Sequence, residues 1–242
     1  MLANPVTARC TELFDCRTHA VIGISPFNSY FSEARILELA HWASRNFTAF
    51  HLYVPDKAAS LTLEALGYSP ERAEKKARRQ ANYLQNKIVR ALCTLGLATE
   101  VDDILLNSDA LTDHSDYLAL LAQFEALFLC DNEFREGCLD SAEWVLEKHP
   151  DRKGDLTPAA IALGARYFLA EMPFFLNTPR ILGVQHSVFC YHQCPRFLRE
   201  LLEKERGGAV SLNQGFVEIA SIIQPAPEST REPVLEGLGA DS

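Results

Sequence analysis

The chain has 242 residues, 48% hydrophobic and 23% charged, enough apolar content to bury a large core in one α/β domain. Its formal net charge of −9 argues against a surface coated with nucleic acid, and no uninterrupted apolar run approaches the roughly eighteen residues of a membrane span. The seven cysteines (Cys10, Cys16, Cys93, Cys130, Cys138, Cys190, Cys194) are odd in number and form no Cys-x-x-Cys pair, which points to reduced thiols; with no apolar stretch behind a basic start, the expected location is cytoplasmic.

In chain order, residues 18–24 (THAVIGI) are short and β-branched enough for a buried strand, and the apolar run stops at Gly23, Ser25 and Pro26. Pro26, Asn28 and Ser29 belong to turns and helix caps, so one hydroxyl, Ser25, stands just past a strand end, where α/β sheets bind ligands. Ser25 is then either a turn residue or a nucleophile. Ser32 can cap a helix over residues 33–46, and a second buried strand follows at 48–54, ended by Pro55. Ser69-Pro70 opens a long helix to about residue 95. The pattern then predicts a strand near 98–106, a helix near 108–124, a strand at 126–130, helices at 132–148 and 157–175, a strand at 184–191 and a helix at 195–206. That alternation favours a single Rossmann-like domain over residues 1–223, with a mostly parallel sheet flanked by helices. Residues 224–242, rich in Pro, Glu, Ser and Gly, are expected to form a flexible tail.

Charge is unevenly distributed. Between residues 71 and 90 seven basic residues face two acids, and at about 100° per residue Arg72, Lys75, Lys76, Arg79, Lys87 and Arg90 fall on one side while Ala73, Ala77, Ala81, Leu84, Ile88 and Leu92 share the other. Such a run is either a solvated face or a contact for a polyanion; the lack of any acid between Glu74 and Glu100 to make helical ion pairs favours the polyanion, with RNA phosphates as the natural target. Cys190, His192 and Cys194 alternate as one face of a strand end would, and no fourth ligand accompanies them for tetrahedral zinc, so no metal is expected.

Several chemistries lack their signatures. No Gly-x-Gly-x-x-Gly, Walker loop or class I tRNA synthetase signature is present, so ATP chemistry is not expected. Ser25 is not in a Gly-x-Ser-x-Gly elbow and no His/Asp pair can be assigned to it, so activation is expected from elsewhere, the substrate being one source. On the helix at 157–175, Tyr167 and Glu171 stand at i and i+4 in an apolar segment, where the carboxylate is either a paired structural group or a receptor for a substrate ammonium.

Together, GISPFNSYFS at 23–32, the Tyr167/Glu171 pair and Tyr191-His192 resemble the cyclodipeptide synthases, over most of the chain. The resemblance implies a fold like the catalytic domain of class Ic aminoacyl-tRNA synthetases, two aminoacyl-tRNAs as substrates and no cofactor. By that likeness Ser25 carries the acyl group, Tyr167 and Glu171 hold the amino group, and Tyr191 relays protons. Gly23, Asn28, Tyr117 and His192 bind substrate, with Asn28, Tyr191 and His192 marking the family branch named for Asn, Tyr and His. The basic stripe becomes the site of the tRNA acceptor stem. A catalytically silent RNA binder on the same fold and a serine esterase are the alternatives. Which amino acids are joined, and whether the protein is a monomer or homodimer, are not legible.

Overall fold

The structure is a computed structural model, and it describes residues 1–204 and 210–221. In chain order the elements are β1 (Leu2–Pro5), α1 (Ala8–Asp15), β2 (His19–Gly23), α2 (Glu33–Asn46), β3 (Ala49–Tyr53), α3 (Ala59–Ala65), α4 (Pro70–Thr94), α5 (Val101–Ile104), β4 (Leu105–Leu106), α6 (Ser108–Leu111), α7 (Ser115–Cys130), α8 (Asn132–Glu147), α9 (Pro158–Leu182), β5 (Ser187–Tyr191), α10 (Arg196–Lys204) and β6 (Gln214–Ala220).

Six strands form one sheet in the order β1-β6-β5-β2-β3-β4. All pairs are parallel except β1 on β6, which places the antiparallel strand at an edge, where the proline closing β1 is tolerated. Side chains alternate across the sheet. Val21, Tyr53, Phe189 and Phe216 point into a core built with α7, α8, α9 and α10. Ala20, Ile22, Leu52, Val188 and Val217 point into a second core under α1, α2 and α4. A mostly parallel sheet covered on both faces is the architecture that the alternating pattern predicts.

The helix caps follow the sequence. Ser32 Oγ accepts from Arg35 N at 3.2 Å, and Thr157 Oγ1 accepts from Ala160 N at 3.2 Å. Helix α9 is long and apolar enough to cross a membrane by length and composition, but its faces pack against the sheet, α3, α7 and α8. Its turn breaks at Asn177 (φ −153°), between Pro173 and Pro179, and Gln214 Oε1 takes the Thr178 N–H at 3.0 Å.

Several expectations are corrected. Residues 98–106 hold a 3₁₀ turn and α5, with only Leu105 and Leu106 extended, and residues 126–130 continue α7 rather than forming a strand. The helix expected at 108–124 divides into α6 and α7. Elements β1, α1, α3 and β6 have no counterpart in the sequence pattern. The tail at 224–242, and the end of the helix expected to reach 206, lie outside the described residues. All seven cysteines are free thiols.

Candidate active site

Strand β2 ends at Gly23, Ile24 N donates to Tyr53 O at 2.8 Å, and Ser25 stands on the turn beyond. The turn is held tightly. Asn28 Oδ1 accepts from Tyr30 N at 3.0 Å, Phe31 N donates to Asn28 O at 3.2 Å, and Ser32 then caps α2. Phe27 sits in the left-handed region at φ 63°, uncommon for a bulky residue, and its ring packs on a small cluster of Ala59, Leu63, Ala73 and Ala77.

The parallel register of β2 and β5 sets Ile22 against Cys190, so Tyr191 arrives beside the Ser25 turn. Tyr191 Oη donates to Ser25 Oγ at 2.8 Å. Tyr167 and Glu171 face Ser25 from α9, close enough that Ser25 acts on the Tyr167 hydroxyl and Tyr167 on the Glu171 carboxyl, each favouring the charged form. Four groups from β5, the turn and α9 thus gather on one cavity, Tyr191, Ser25, Tyr167 and Glu171. Asn28 Nδ2 donates to His192 Nε2 at 2.9 Å and lies 3.5 Å from Tyr191 Oη. His192 Nε2 is therefore the acceptor nitrogen and the ring is neutral; burial pushes its pKa down to about 4. The ring is wedged by Tyr30 and Tyr191, with centroids at 4.6 and 4.4 Å.

Glu171 is 7% exposed and has no ion pair among the described residues. Burial pushes its pKa up to about 8, against the hydrogen bond from Tyr167, which favours the charged form. Burial likewise raises Tyr191 to about 12. A carboxylate with this environment gains most from a cation brought to it. These groups open on one cavity of about 480 Å³, whose inner wall is Phe168, Phe175, Phe189 and Phe216 and whose outer wall is Phe27, Trp144, Val145 and His149.

Two residues expected to bind substrate do not themselves line this cavity. Gly23 is buried, and a Cβ there would lie 2.7 Å from the Phe189 ring and 3.1 Å from Tyr191, so its absent side chain lets those two rings close on β2. Tyr117 donates to Ala170 O at 3.0 Å and lines a separate groove of about 340 Å³ behind Glu171. Its pKa is raised to about 12, by burial first and then by the Glu171 charge. Cys190 points into the α1/α2/α4 core, while His192 is held by Asn28, and among the described residues no three His, Cys, Asp or Glu side chains converge as metal ligands.

Helix α4 buries Ala73, Ala77, Ala81, Leu84, Ile88 and Leu92, as its periodicity predicts. Its basic side is partly engaged by acids from outside the helix, a possibility the spacing of acids within it does not reveal. Lys76 bonds Asp151 and, at 3.0 Å, Tyr68 Oη; Arg90 pairs with Glu33 at 2.8 Å; Lys87 donates to Phe31 O at 3.2 Å. Arg72, Lys75 and Arg79 remain exposed and without an ion pair among the described residues. The α8 side of the cavity escapes the sequence reading, although Ser141, Trp144, Val145 and Lys148 follow the 3- and 4-residue spacing of one helix face.

A mostly parallel, Rossmann-like sheet thus carries Ser25 just past the end of β2, the place where α/β folds bind ligands. The sequence model described as cyclodipeptide synthase matches residues 1–221. The cyclo(L-leucyl-L-leucyl) synthase of Bacillus subtilis (strain 168) is 30% identical over 231 residues, 94% of this chain and 92% of that protein. The crystal structure of a cyclodipeptide synthase from Bacillus thermoamylovorans superposes with a TM-score of 0.85 at 28% identity, covering 92% of this chain and 96% of that one. A Mycobacterium tuberculosis structure, reported as demonstrating that cyclodipeptide synthetases are related to type I tRNA synthetases, superposes at 0.78 with 30% identity over 89% of this chain and 91% of that one. The chain belongs to the cyclodipeptide synthase family.

Proposed function

We propose that this protein is a tRNA-dependent aminoacyltransferase that joins two aminoacyl groups, each delivered as a tRNA ester, into a cyclic dipeptide without ATP. The observation that carries the reading is the gathering of Tyr191, Ser25, Tyr167 and the buried Glu171 on one cavity, with Tyr191 bonded to Ser25 at 2.8 Å.

An aminoacyl ester is already activated, so a serine needs no triad to exchange it. Ser25 Oγ attacks the first ester carbonyl, its proton leaves toward Tyr167, and the tRNA hydroxyl departs with a proton. The bound residue's α-ammonium sits on Glu171 and Tyr167. Glu171 accepts a proton from it, and the free amine attacks the second aminoacyl ester, releasing the second tRNA and leaving a dipeptide on Ser25. The terminal amine then attacks the seryl ester, the C–O bond breaks, and Ser25 recovers its proton through Tyr191. The intramolecular amine outcompetes water by effective molarity in an aromatic-walled cavity. Asn28 holds His192 and approaches Tyr191, so both position the relay; Gly23 lets the relay tyrosine close on the strand.

The acceptor stems dock on the basic side of α4, with Arg72, Lys75 and Arg79 as its free cations and Lys76, Lys87 and Arg90 reached by exchanging their present partners. Aminoacyl-tRNA as substrate places the work in the cytoplasm. The esterase reading is not favoured, because the acceptor nitrogen of His192 is taken by Asn28 and the side-chain partner of Ser25 is Tyr191, not a histidine.

The test is expression in bacteria with mass spectrometry of the medium, together with Ser25→Ala. The wild type yields cyclic dipeptides and a covalent label from radiolabelled aminoacyl-tRNA; Ser25→Ala yields neither. A label surviving in Ser25→Ala removes Ser25 from the mechanism.

A further inference from the structure

We propose that His149 selects one of the two amino acids joined, requiring a side chain that ends in a hydrogen-bond acceptor, an amide or a carboxylate. The inference rests on the function proposed above and names a substrate class for the same cavity.

His149 follows the C-terminal end of α8 and lines the outer wall of the cavity. Its Nδ1 accepts the backbone N–H of Asp151 at 3.1 Å. A ring nitrogen that accepts is unprotonated, so in the neutral ring the proton is on Nε2 and that nitrogen is a donor. Nε2 is buried, and it meets no hydrogen-bond partner among the described residues. Native proteins seldom leave a buried donor unanswered, and they do so where a ligand supplies the acceptor. The neighbouring cation points the same way. Lys148 lines the same wall with its Nζ 3.8 Å from the Trp144 ring centroid and has no carboxylate partner among the described residues. An N–H donor and an ammonium lining the same wall favour an oxygen acceptor over a purely apolar side chain. The opposite wall, with Phe168, Phe175, Phe189 and Phe216, sets no such requirement.

Phe27 packs against His149 on this wall. Its ring centroid is 5.6 Å from that of His149, and its backbone is held in the left-handed region. Nε2 is covered within the wall, so a side chain must shift for an acceptor to reach it, and Phe27, in ring contact with His149, is positioned to do so. An apolar side chain that moved Phe27 would leave the donor unpaired, which is the arrangement that gives strong discrimination, here a preference of roughly a hundredfold or more over the apolar isostere.

The experiment supplies the full-length protein with all aminoacyl-tRNAs, then sets asparaginyl-, aspartyl-, glutaminyl- and glutamyl-tRNA in competition with leucyl- and methionyl-tRNA, reading products by mass spectrometry and Ser25 labelling separately. The expected main product carries an amide or carboxylate side chain. His149→Leu removes the donor and loses the preference while Ser25 is still labelled; His149→Gln, which restores an N–H at similar reach, recovers it. Lys148→Met distinguishes the acceptors, lowering carboxylate products and sparing amide ones. Cyclic dipeptides with apolar side chains on both residues overturn the inference and leave the parent function standing, as does an unchanged product spectrum in His149→Leu. No cyclic dipeptide from any aminoacyl-tRNA overturns the parent function itself.

Discussion

Replacing Glu171 by glutamine should stabilise the fold, and increasingly so as pH rises. The folded carboxyl titrates at about 8 against an ordinary value of 4.5, mainly because it is buried. A carboxyl raised on folding binds more protons in the folded than in the unfolded chain between those two values, so its contribution to stability is full below the unfolded pKa and is lost as pH rises through the folded one. Relative to a neutral isostere, the wild type should be worse off by about 0.8 kcal/mol at pH 5 and about 3.3 kcal/mol at pH 7, taking 1.36 kcal/mol per pKa unit. Glutamine keeps the shape and can still bond Tyr167. The difference between Glu171→Gln and wild type should therefore grow by roughly 2.5 kcal/mol from pH 5 to pH 7, some 5–10 °C in Tm for a domain of this size. Urea unfolding or thermal melts of the two proteins at pH 5, 6 and 7 measure it, and groups common to both cancel in the difference. Parallel stability curves would mean that Glu171 is ionised and solvated throughout, and its use as an ammonium receptor in a dry site would fall. Activity should move the opposite way, with Glu171→Gln still binding tRNA but slowed in the steps that use the α-amine.

Removing Arg72, Lys75 and Arg79 together should weaken binding of different aminoacyl-tRNAs about equally and flatten the log–log salt dependence by roughly 0.7–0.9 for each phosphate no longer neutralised, whereas Arg78→Ala, whose side chain pairs with Glu74 at 2.6 Å, should change little; gel shifts across salt would refute the stripe if both behave alike. Gly23→Ala should cost about 1–3 kcal/mol through overpacking against Phe189 and should displace Tyr191 from Ser25, so equilibrium unfolding and product yield fall together; an alanine variant of wild-type stability would show the β2–β5 packing to be looser than 2.7 Å implies. Burial, with the neighbouring His51, lowers His19 to about 3, below its ordinary 6.5, so the unfolded chain binds the extra proton and stability should fall by about 1.4 kcal/mol per unit of pH below roughly 6. His19→Gln should flatten that slope, and an unaltered acid-unfolding profile would show that the pair of His19 Nε2 and His51 Nδ1, 2.8 Å apart, shares a proton in the folded protein.

Much of the site is legible because its residues fall on strong local signals. Ser25 follows a β-branched run cut by glycine and proline, and Tyr167 and Glu171 share a helix face by spacing alone. What escapes is decided by tertiary contact. The segment ALFLC at 126–130 has the content of a strand, yet Leu127 and Phe128 pack on the core as a continuation of the face begun by Leu120 and Phe124. Residues 101–106 are apolar in a way that fits either period, and the edge of the sheet offers room to pair only two of them. The acids that occupy Lys76 and Arg90, Asp151 and Glu33, lie far away along the chain, so no helical spacing rule could place them. The chemistry of the outer wall is likewise hidden, because Phe27 and His149 meet only after α8 has folded over the β2 turn.

The separation of 166 positions between Ser25 and Tyr191 has a consequence for synthesis on the ribosome. Strand β2 can pair with β3 as soon as both emerge, but its other edge stays open until β5 arrives, and β5 in turn awaits β6. At a translation rate of about 5–20 residues per second, that edge waits on the order of ten seconds or more. During this interval the half-sheet presents unpaired backbone to other chains, the condition that favours capture by chaperones or by aggregation. Docking of β5 then covers that edge and brings the relay tyrosine to the serine in one event. The reactive hydroxyl therefore meets its relay partner only late in synthesis, and a slow-translating stretch after β5 should raise the yield of active protein more than one placed before it.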